Sequence, residues 1–312
     1  MKFKKPIFWD YKKPNYLSYL LLPLTLPVII NNFFLNLKKK NIDEKIKKIC
    51  IGNIYVGGTA KTPLTIKIYR ILSDLKFKTA TIKKFYKKHY DEQEILSQET
   101  KLYCNKNRVD ALDEAIKDDV AVAIFDDGLQ DKSMDYDLKF VCFNNSKWIG
   151  NGFLIPAGPL RETISSLSKY DSVFLNGNEK DNSDIKMLLK KYNKEIQIFE
   201  ATYKVINLDK LDIKKKYVIF SGIGNPDSFK ETLTKHNFNI VKEIIFPDHY
   251  NYTLKDIDYI RLQAKKLDSK ILTTEKDYIK IKTDSKKDIN FLKIDLNIKD
   301  ESKLIDYLKL HI

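Results

Sequence analysis

Residues 49–63 read Ile-Cys-Ile-Gly-Asn-Ile-Tyr-Val-Gly-Gly-Thr-Ala-Lys-Thr-Pro. An apolar run enters a glycine-containing loop, and Lys-Thr opens a segment of helical period. This is the context of a phosphate loop: backbone N–H groups and a helix N-terminus cradle phosphates, a lysine reaches the outer phosphates, and a threonine hydroxyl holds Mg²⁺. Those roles fall on Tyr55, Val56, Gly57, Gly58, Thr59, Ala60, Lys61 and Thr62 for nucleotide binding. Pro63 suits a helix's first turn, and Leu64, Ile68, Ile71, Leu72 and Leu75 form one apolar stripe behind it. Two positions depart from GxxxxGK[ST]: Tyr55 replaces the first glycine and Ala60 the second. A methyl group at 60 crowds the phosphates or strains the loop. A strand–helix turn without a ligand would use the same glycines.

A second apolar run, 120–125, ends in Asp126-Asp127-Gly128. At the carboxyl edge of a parallel sheet, such an acidic pair meets the Mg²⁺ of a bound nucleotide. Thr62, Asp126 and Asp127 are therefore the candidate metal ligands. Asp-Asp-Gly is also a common turn, so the pair gains weight only beside the phosphate loop.

The elements that position these residues follow from periodicity. Strand-like runs at 46–51, 78–82, 120–125, 138–143, 173–175, 217–220, 241–246, 270–273 and 291–294 alternate with helical stretches such as 64–75 and 254–267. Such alternation predicts parallel sheet with covered faces. The predicted fold is α/β: a P-loop NTPase-like parallel-sheet lobe plus a smaller α/β lobe, with an N-terminal membrane-associated helix. The expected division is an N-terminal segment at 1–40, a kinase-like lobe at 41–197, a hairpin-like connection at 198–216 and a second lobe at 217–312. Three widely spaced cysteines, Cys50, Cys104 and Cys142, form no CxxC pair and exclude a disulfide scaffold or zinc ribbon.

The chain carries 56 Lys+Arg against 42 Asp+Glu, a net of +14. Within residues 1–40, Lys2, Lys4, Lys5, Lys12, Lys13, Lys38, Lys39 and Lys40 stand against Asp10 alone, so half of the excess lies there. Between Lys13 and Lys38 run 24 uncharged residues, rich in leucine and isoleucine. Their length permits a bilayer span. Pro23 and Pro27 interrupt a helix, and Asn15, Asn31, Asn32 and Asn36 are costly in hydrocarbon. The pattern predicts a kinked segment in the membrane interface, with Trp9, Tyr11, Tyr16 and Tyr19 at headgroup depth and lysines on anionic lipid. Lys83, Lys84, Lys87 and Lys88 precede Asp91 and form a second basic group, which an anionic headgroup could approach.

Taken together, these blocks resemble the tetraacyldisaccharide 4′-kinases. The resemblance rests on Phe8-Trp9, Leu21-Leu22-Pro23-Leu24, Gly52-Asn53, Val56-Gly57-Gly58-Thr59, Lys61-Thr62-Pro63, Asp126-Asp127-Gly128-Leu129-Gln130 and the run 152–162 ending Pro-Ala-Gly-Pro-Leu-Arg-Glu. It continues with Gly222-Ile223-Gly224-Asn225-Pro226, Phe246-Pro247-Asp248-His249-Tyr250 and Thr273-Thr274-Glu275-Lys276-Asp277. The resemblance implies an ATP- and Mg²⁺-dependent lipid kinase. It would phosphorylate the 4′-hydroxyl of a tetraacyldisaccharide 1-phosphate to give lipid IVA, in lipid A and lipopolysaccharide synthesis. Its partners would be the anionic acylated disaccharide and the membrane surface, with no nucleic acid. A monomer is expected, peripheral on the cytoplasmic face of the bacterial inner membrane.

The resemblance further implies Asp91 as catalytic base, His249 as its partner, and Arg161 and Glu162 as a catalytic pair. Asp91 and His249 fall in different predicted lobes. Departures from the family are Lys83-Lys84-Phe85-Tyr86 in place of Ser-Arg-Gly-Tyr, a short loop up to Asp91, Ala60, and Asp131 where a histidine is usual. Gly222-Ile223-Gly224 lacks the third glycine of a dinucleotide fingerprint, since Asp227 stands there. Two other classes share some of these features. One is a membrane-associated P-loop ATPase driving a partner protein. The other is a basic nucleic-acid-binding protein, against which stand the clustering of lysines around an apolar segment and the lack of a recognition motif.

Overall fold

The computed structural model describes residues 5–37, 45–177 and 181–312. In chain order its elements are α1 (Tyr16–Leu20), α2 (Leu26–Leu37), β1 (Lys47–Gly52), α3 (Lys61–Asp74), β2 (Thr79–Lys84), α4 (Tyr90–Glu99), β3 (Leu102–Asn105), α5 (Arg108–Lys117), β4 (Val122–Asp126), β5 (Leu138–Asn144), β6 (Ser172–Asn176), α6 (Ser183–Tyr192), β7 (Gln197–Val205), β8 (Lys216–Ser221), α7 (Pro226–Lys235), β9 (Asn239–Ile245), α8 (Leu254–Lys266), β10 (Lys270–Thr274), α9 (Glu275–Ile279), β11 (Ile289–Leu292), β12 (Ile294–Ile298) and α10 (Glu301–His311). They form two compact units. Of the described residues, the larger holds those up to 85, then 99–202 and 297–312; the smaller holds 86–98 and 203–296.

The larger unit is built on an eight-stranded sheet of order β12-β7-β6-β5-β1-β4-β2-β3. The neighbours from β7 to β3 are parallel. β1 and β4 are buried along nearly their whole length, as strands covered on both faces must be. Alternate residues divide between the faces. Cys50, Ala123, Phe125, Val141 and Phe143 pack with Ala111, Leu112 and Ala115 of α5 and Leu189 of α6. On the other face Phe140 and Phe199 meet Tyr307 of α10. The parallel register sets Ile51 of β1 beside Asp126 of β4, so the loop after β1 and the acidic pair emerge at one carboxyl edge.

The smaller unit has its own parallel four-stranded sheet, β11-β10-β8-β9. Tyr217, Ile219 and Leu272 face α7 through Phe229 and Leu233. Val218, Phe220 and Ile271 face α8 through Ile257, Ile260 and Ala264.

Three expectations need correction. β3 was not predicted: Leu-Tyr-Cys-Asn is short and lies half-buried at the sheet edge, with little apolar pattern to mark it. Residues 291–294 are not one strand. Lys293 separates β11, in the smaller sheet, from β12, in the larger. Trp9 is not an interfacial anchor: it is 3% exposed, and its indole Nε1 donates to the Pro156 carbonyl at 3.0 Å.

The kinks at the N-terminus fall where the prolines stand. Residues Leu22–Thr25 form a 3₁₀ turn containing Pro23, and Pro27 sits in the first turn of α2. Among the described residues no helix is long and apolar enough to cross a membrane. Lys2, Lys4 and Lys38–Lys40 lie outside the described residues.

Candidate active site

In the larger unit the loop after β1 is fixed by buried amides. Asn53 Nδ2 donates to Thr59 Oγ1 at 2.9 Å and to the Gly57 carbonyl at 3.3 Å, while Asn176 Nδ2 donates to the Thr59 carbonyl at 3.0 Å. Gly57 has φ 143°, a conformation open chiefly to glycine. Ala60 caps α3 in the left-handed region, φ 64° and ψ 28°, where the family pattern would put glycine. Lys61 and Thr62 follow as the first residues of α3. The Tyr55 ring points elsewhere: it packs on Leu154 and Leu160, and its hydroxyl meets Asp10 and Lys5.

The two acids have different partners. Thr62 Oγ1 donates to Asp126 Oδ2 at 3.1 Å, and Thr65 Oγ1 reaches Asp126 Oδ1 at 3.3 Å. Asp127, at φ 58°, lies 3.7 Å from Lys61 Nζ and 3.4 Å from Arg161. Arg161 also donates to Gln130 Oε1 at 3.2 Å. Gln130 Nε2 donates in turn to Glu162 Oε1 at 3.0 Å and to the Asn53 carbonyl at 3.0 Å. Tyr170 donates to Glu162 at 2.8 Å; burial, and then the Glu162 charge, push its phenol well up. Lys61, Thr62, Asp126, Asp127, Arg161 and Glu162 thus join one network at the edge where β1 and β4 end.

Three further residues take part whose place here the sequence reading did not assign. Gln130 bridges Arg161 and Glu162, and its place directly after Asp-Asp-Gly-Leu was the clue. Asp131, the departure from histidine, pairs at 2.9 Å with buried Arg108, which also donates to the Asp127 carbonyl at 2.6 Å. Lys83 was expected among headgroup-facing lysines. It is instead 3% exposed, with Nζ 2.5 Å from Asp126 Oδ2. Lys87 is exposed; the side chain of Lys88 lies outside the described residues.

Asp91 and His249, read as lying in different lobes, meet within the smaller unit. Asp91 opens α4, and His249 lies in the loop after β9. His249 Nδ1 is 3.1 Å from both Asp91 carboxylate oxygens. The His249 backbone is left-handed, φ 54°, and its N–H donates to the Gly222 carbonyl at 3.2 Å. Gly222 fits closely: a Cβ there would stand 3.0 Å from the Pro247 carbonyl oxygen and 3.0 Å from the Tyr252 hydroxyl, and the neighbours would have to give by a few tenths of an ångström. His89 stacks on His249, rings 4.3 Å apart and 9° from parallel.

The Thr-Thr-Glu-Lys-Asp block, which had no physical role in the sequence, closes this cluster. It forms the end of β10 and the start of α9. Thr274 caps α9 by accepting from the Asp277 N–H. Buried Asp277 accepts from the Gly222 N–H at 3.0 Å, Tyr252 at 2.9 Å and Thr274 Oγ1 at 2.7 Å, and pairs with Lys280 at 2.7 Å. Lys276 Nζ lies 3.1 Å from Glu92 and 3.8 Å from Asp91, and Lys280 Nζ 3.7 Å from Asp91. Burial works to raise the Asp91 carboxyl. The His249 hydrogen bond and the Lys276, His249 and Lys280 charges outweigh it, so the net direction is down and the group is a carboxylate at neutral pH.

The donors around Thr62 and Asp126 suit a hard cation. Mg²⁺ is commonly held through one or two protein oxygens, with waters and substrate phosphates completing the octahedron. Among the described residues no cluster of three His, Cys, Asp or Glu side chains could hold a metal by itself. The network therefore fits a cation that shares its coordination with phosphates.

The chain as a whole resembles known proteins. Residues 19–312 match the family model described as tetraacyldisaccharide-1-P 4′-kinase. A tetraacyldisaccharide 4′-kinase of Pelagibacter ubique is 48% identical over 310 residues, covering 99% of this chain and 98% of that protein. One from Rickettsia bellii is 33% identical over 324 residues, with 98% of each chain covered. In fold, the chain is similar to the crystal structure of LpxK from Aquifex aeolicus in complex with ATP. The TM-score is 0.67 at 20% identity, covering 95% of this chain and all of that one. With a family model matched over residues 19–312 and relatives matched over nearly their whole length, the chain belongs to the tetraacyldisaccharide 4′-kinase family.

Proposed function

We propose that this protein transfers the γ-phosphate of ATP to the 4′-hydroxyl of a tetraacyldisaccharide 1-phosphate, yielding lipid IVA. The observation that carries the reading is the set of contacts Lys61–Asp127–Arg161 and Thr62–Asp126 where β1 and β4 end, within a chain 48% identical to a tetraacyldisaccharide 4′-kinase.

Phosphoryl transfer needs positioning, cationic screening and a proton acceptor for the attacking hydroxyl. The loop N–H groups and Lys61 bind and screen the phosphates. Arg161 offers a planar donor fork to phosphate oxygen. Thr62 and Asp126 would hold Mg²⁺, with Asp127 beside them; when bound, the cation supplies charge neutralisation at the β- and γ-phosphates. Asp91, kept ionised by Lys276 and Lys280, accepts the 4′-hydroxyl proton, and His249 fixes the carboxylate's orientation. Glu162, held by Gln130 and Tyr170, orients Arg161 through Gln130.

The substrate is acylated, and the N-terminal surface supports a peripheral seat on the cytoplasmic face of the inner membrane. Tyr16, Leu20, Leu24, Phe33 and Phe34 are all more than half exposed. Side chains of this kind lie in the interface when lysines flank them.

The test is a product assay with purified protein, Mg-ATP and tetraacyldisaccharide 1-phosphate, followed by lipid mass. The expected result is a phosphate-sized gain, abolished in Lys61→Ala and lowered by at least about 10²-fold in Asp91→Asn, the scale of a lost general base. ATP consumption without a phosphorylated lipid would overturn the reading and favour a partner-coupled ATPase.

A further inference from the structure

Lys83 stands at the carboxyl end of β2, next to β4 in the sheet, where the register pairs Ile82 with Phe125 and so brings Lys83 beside Asp126. Its side chain is 4% exposed. An ammonium this deep costs several kcal/mol unless it is paired. Its partner is Asp126 Oδ2, at 2.5 Å, the same oxygen that accepts from Thr62 at 3.1 Å. Asp126 Oδ1 is taken by Thr65 at 3.3 Å. Both oxygens of the acid are therefore engaged, and its charge is already balanced.

We propose that Lys83 is a built-in counter-cation that keeps divalent metal off Asp126 until nucleotide phosphates are present. A divalent ion arriving alone must displace the ammonium or share one carboxylate with it, and two cations in a site screened from water repel strongly. Phosphates add negative charge that both cations can share, so the penalty falls when nucleotide binds. Metal and nucleotide binding are then coupled, each tightening the other by the same factor. The inference rests on reading Thr62 and Asp126 as the cation site.

The experiment is Mn²⁺ binding to the full-length protein by electron paramagnetic resonance, with and without ADP. The wild type should bind Mn²⁺ weakly alone and far more tightly with ADP. Lys83→Met, close in length and neutral, should tighten nucleotide-free binding at least about tenfold and shrink the ADP effect by the same factor, about 1.4 kcal/mol of coupling. Lys83→Arg should stay like the wild type. Equal nucleotide-free affinities in the wild type and Lys83→Met overturn the proposal while leaving the site reading intact. No Mn²⁺ binding even with ADP overturns both. Should Lys83→Met fail to fold, lysine ¹³Cε spectra of the wild type, assigned with Lys83→Arg, decide. The Lys83 resonance should move with ADP and Mg²⁺ together and not with Mg²⁺ alone; a resonance indifferent to both contradicts the idea.

Discussion

Ala60 holds a conformation that L-residues enter at a cost of roughly 1–2 kcal/mol. Glycine would relieve that strain but loses about 0.5–1 kcal/mol to chain entropy. Ala60→Gly should thus raise stability by about 0.5 kcal/mol, read as a higher urea midpoint at unchanged slope. The sequence located this position as a departure but could not say whether the loop would distort around the methyl; it keeps the left-handed turn instead. Asp91 makes a second prediction. Its folded-state value lies below the ordinary one of about 4. The stability it contributes is therefore fully present above that ordinary value and is lost as pH falls through the depressed one. Urea midpoints of wild type and Asp91→Asn should differ most near pH 6 and draw closer as pH falls below the ordinary carboxylate value of about 4. A gap that does not narrow would contradict the assigned direction. His249 and Lys61 stood out because each lies in a short block of distinctive residues, whereas Asp91 was picked out only through the family resemblance. Lys83 and Arg108 were not, since burial of a lysine or arginine leaves no mark on a lysine-rich sequence.

Both networks sit where parallel strands end. β1 and β4 deliver the Lys61–Thr62 loop and the acidic pair, and β8, β9 and β10 deliver Gly222, His249 and Lys276. Strand runs were readable wherever several apolar residues stood together, as in β4 and β5. The reading failed at β3, which is short and edge-exposed, and at β11 and β12, where a single lysine separates strands of different sheets. The block at 273–277 shows a further limit, because its purpose depends largely on contacts with residues 25 or more positions away. Asp277 is the centre of that block. Asp277→Ala would strand the Lys280 ammonium, which is 5% exposed, and should cost about 3 kcal/mol or more in denaturant unfolding. Gly222→Ala forces the 247–252 loop to give by a few tenths of an ångström. It should lower lipid phosphorylation through misplacement of His249 while leaving nucleotide affinity, measured by calorimetry, within about twofold, since the phosphate loop belongs to the other sheet.

For the molecule as a whole, half of the net charge flanks a segment whose aromatic and aliphatic side chains stand exposed. Binding to vesicles should therefore need anionic lipid, weaken with salt, and drop in Phe33→Ser with Phe34→Ser; sedimentation with liposomes of graded anionic content measures this. The α/β class and its parallel sheet were readable from alternation alone. The way the chain is apportioned was not, because contacts between distant segments leave no local pattern. The smaller unit takes residues 86–98 from the middle of the first half, and the larger takes back 297–312 from the very end. That interleaving bears on biogenesis. A growing chain would finish the loop after β1 early, yet Asp91 would wait for 158 further residues before His249 emerges. The edge strand β12 and helix α10 arrive last of all. Until then β7 presents an unpaired edge, open to mispairing with other chains. Loss of even the final fifteen or so residues should leave a product that aggregates, however complete its nucleotide loop.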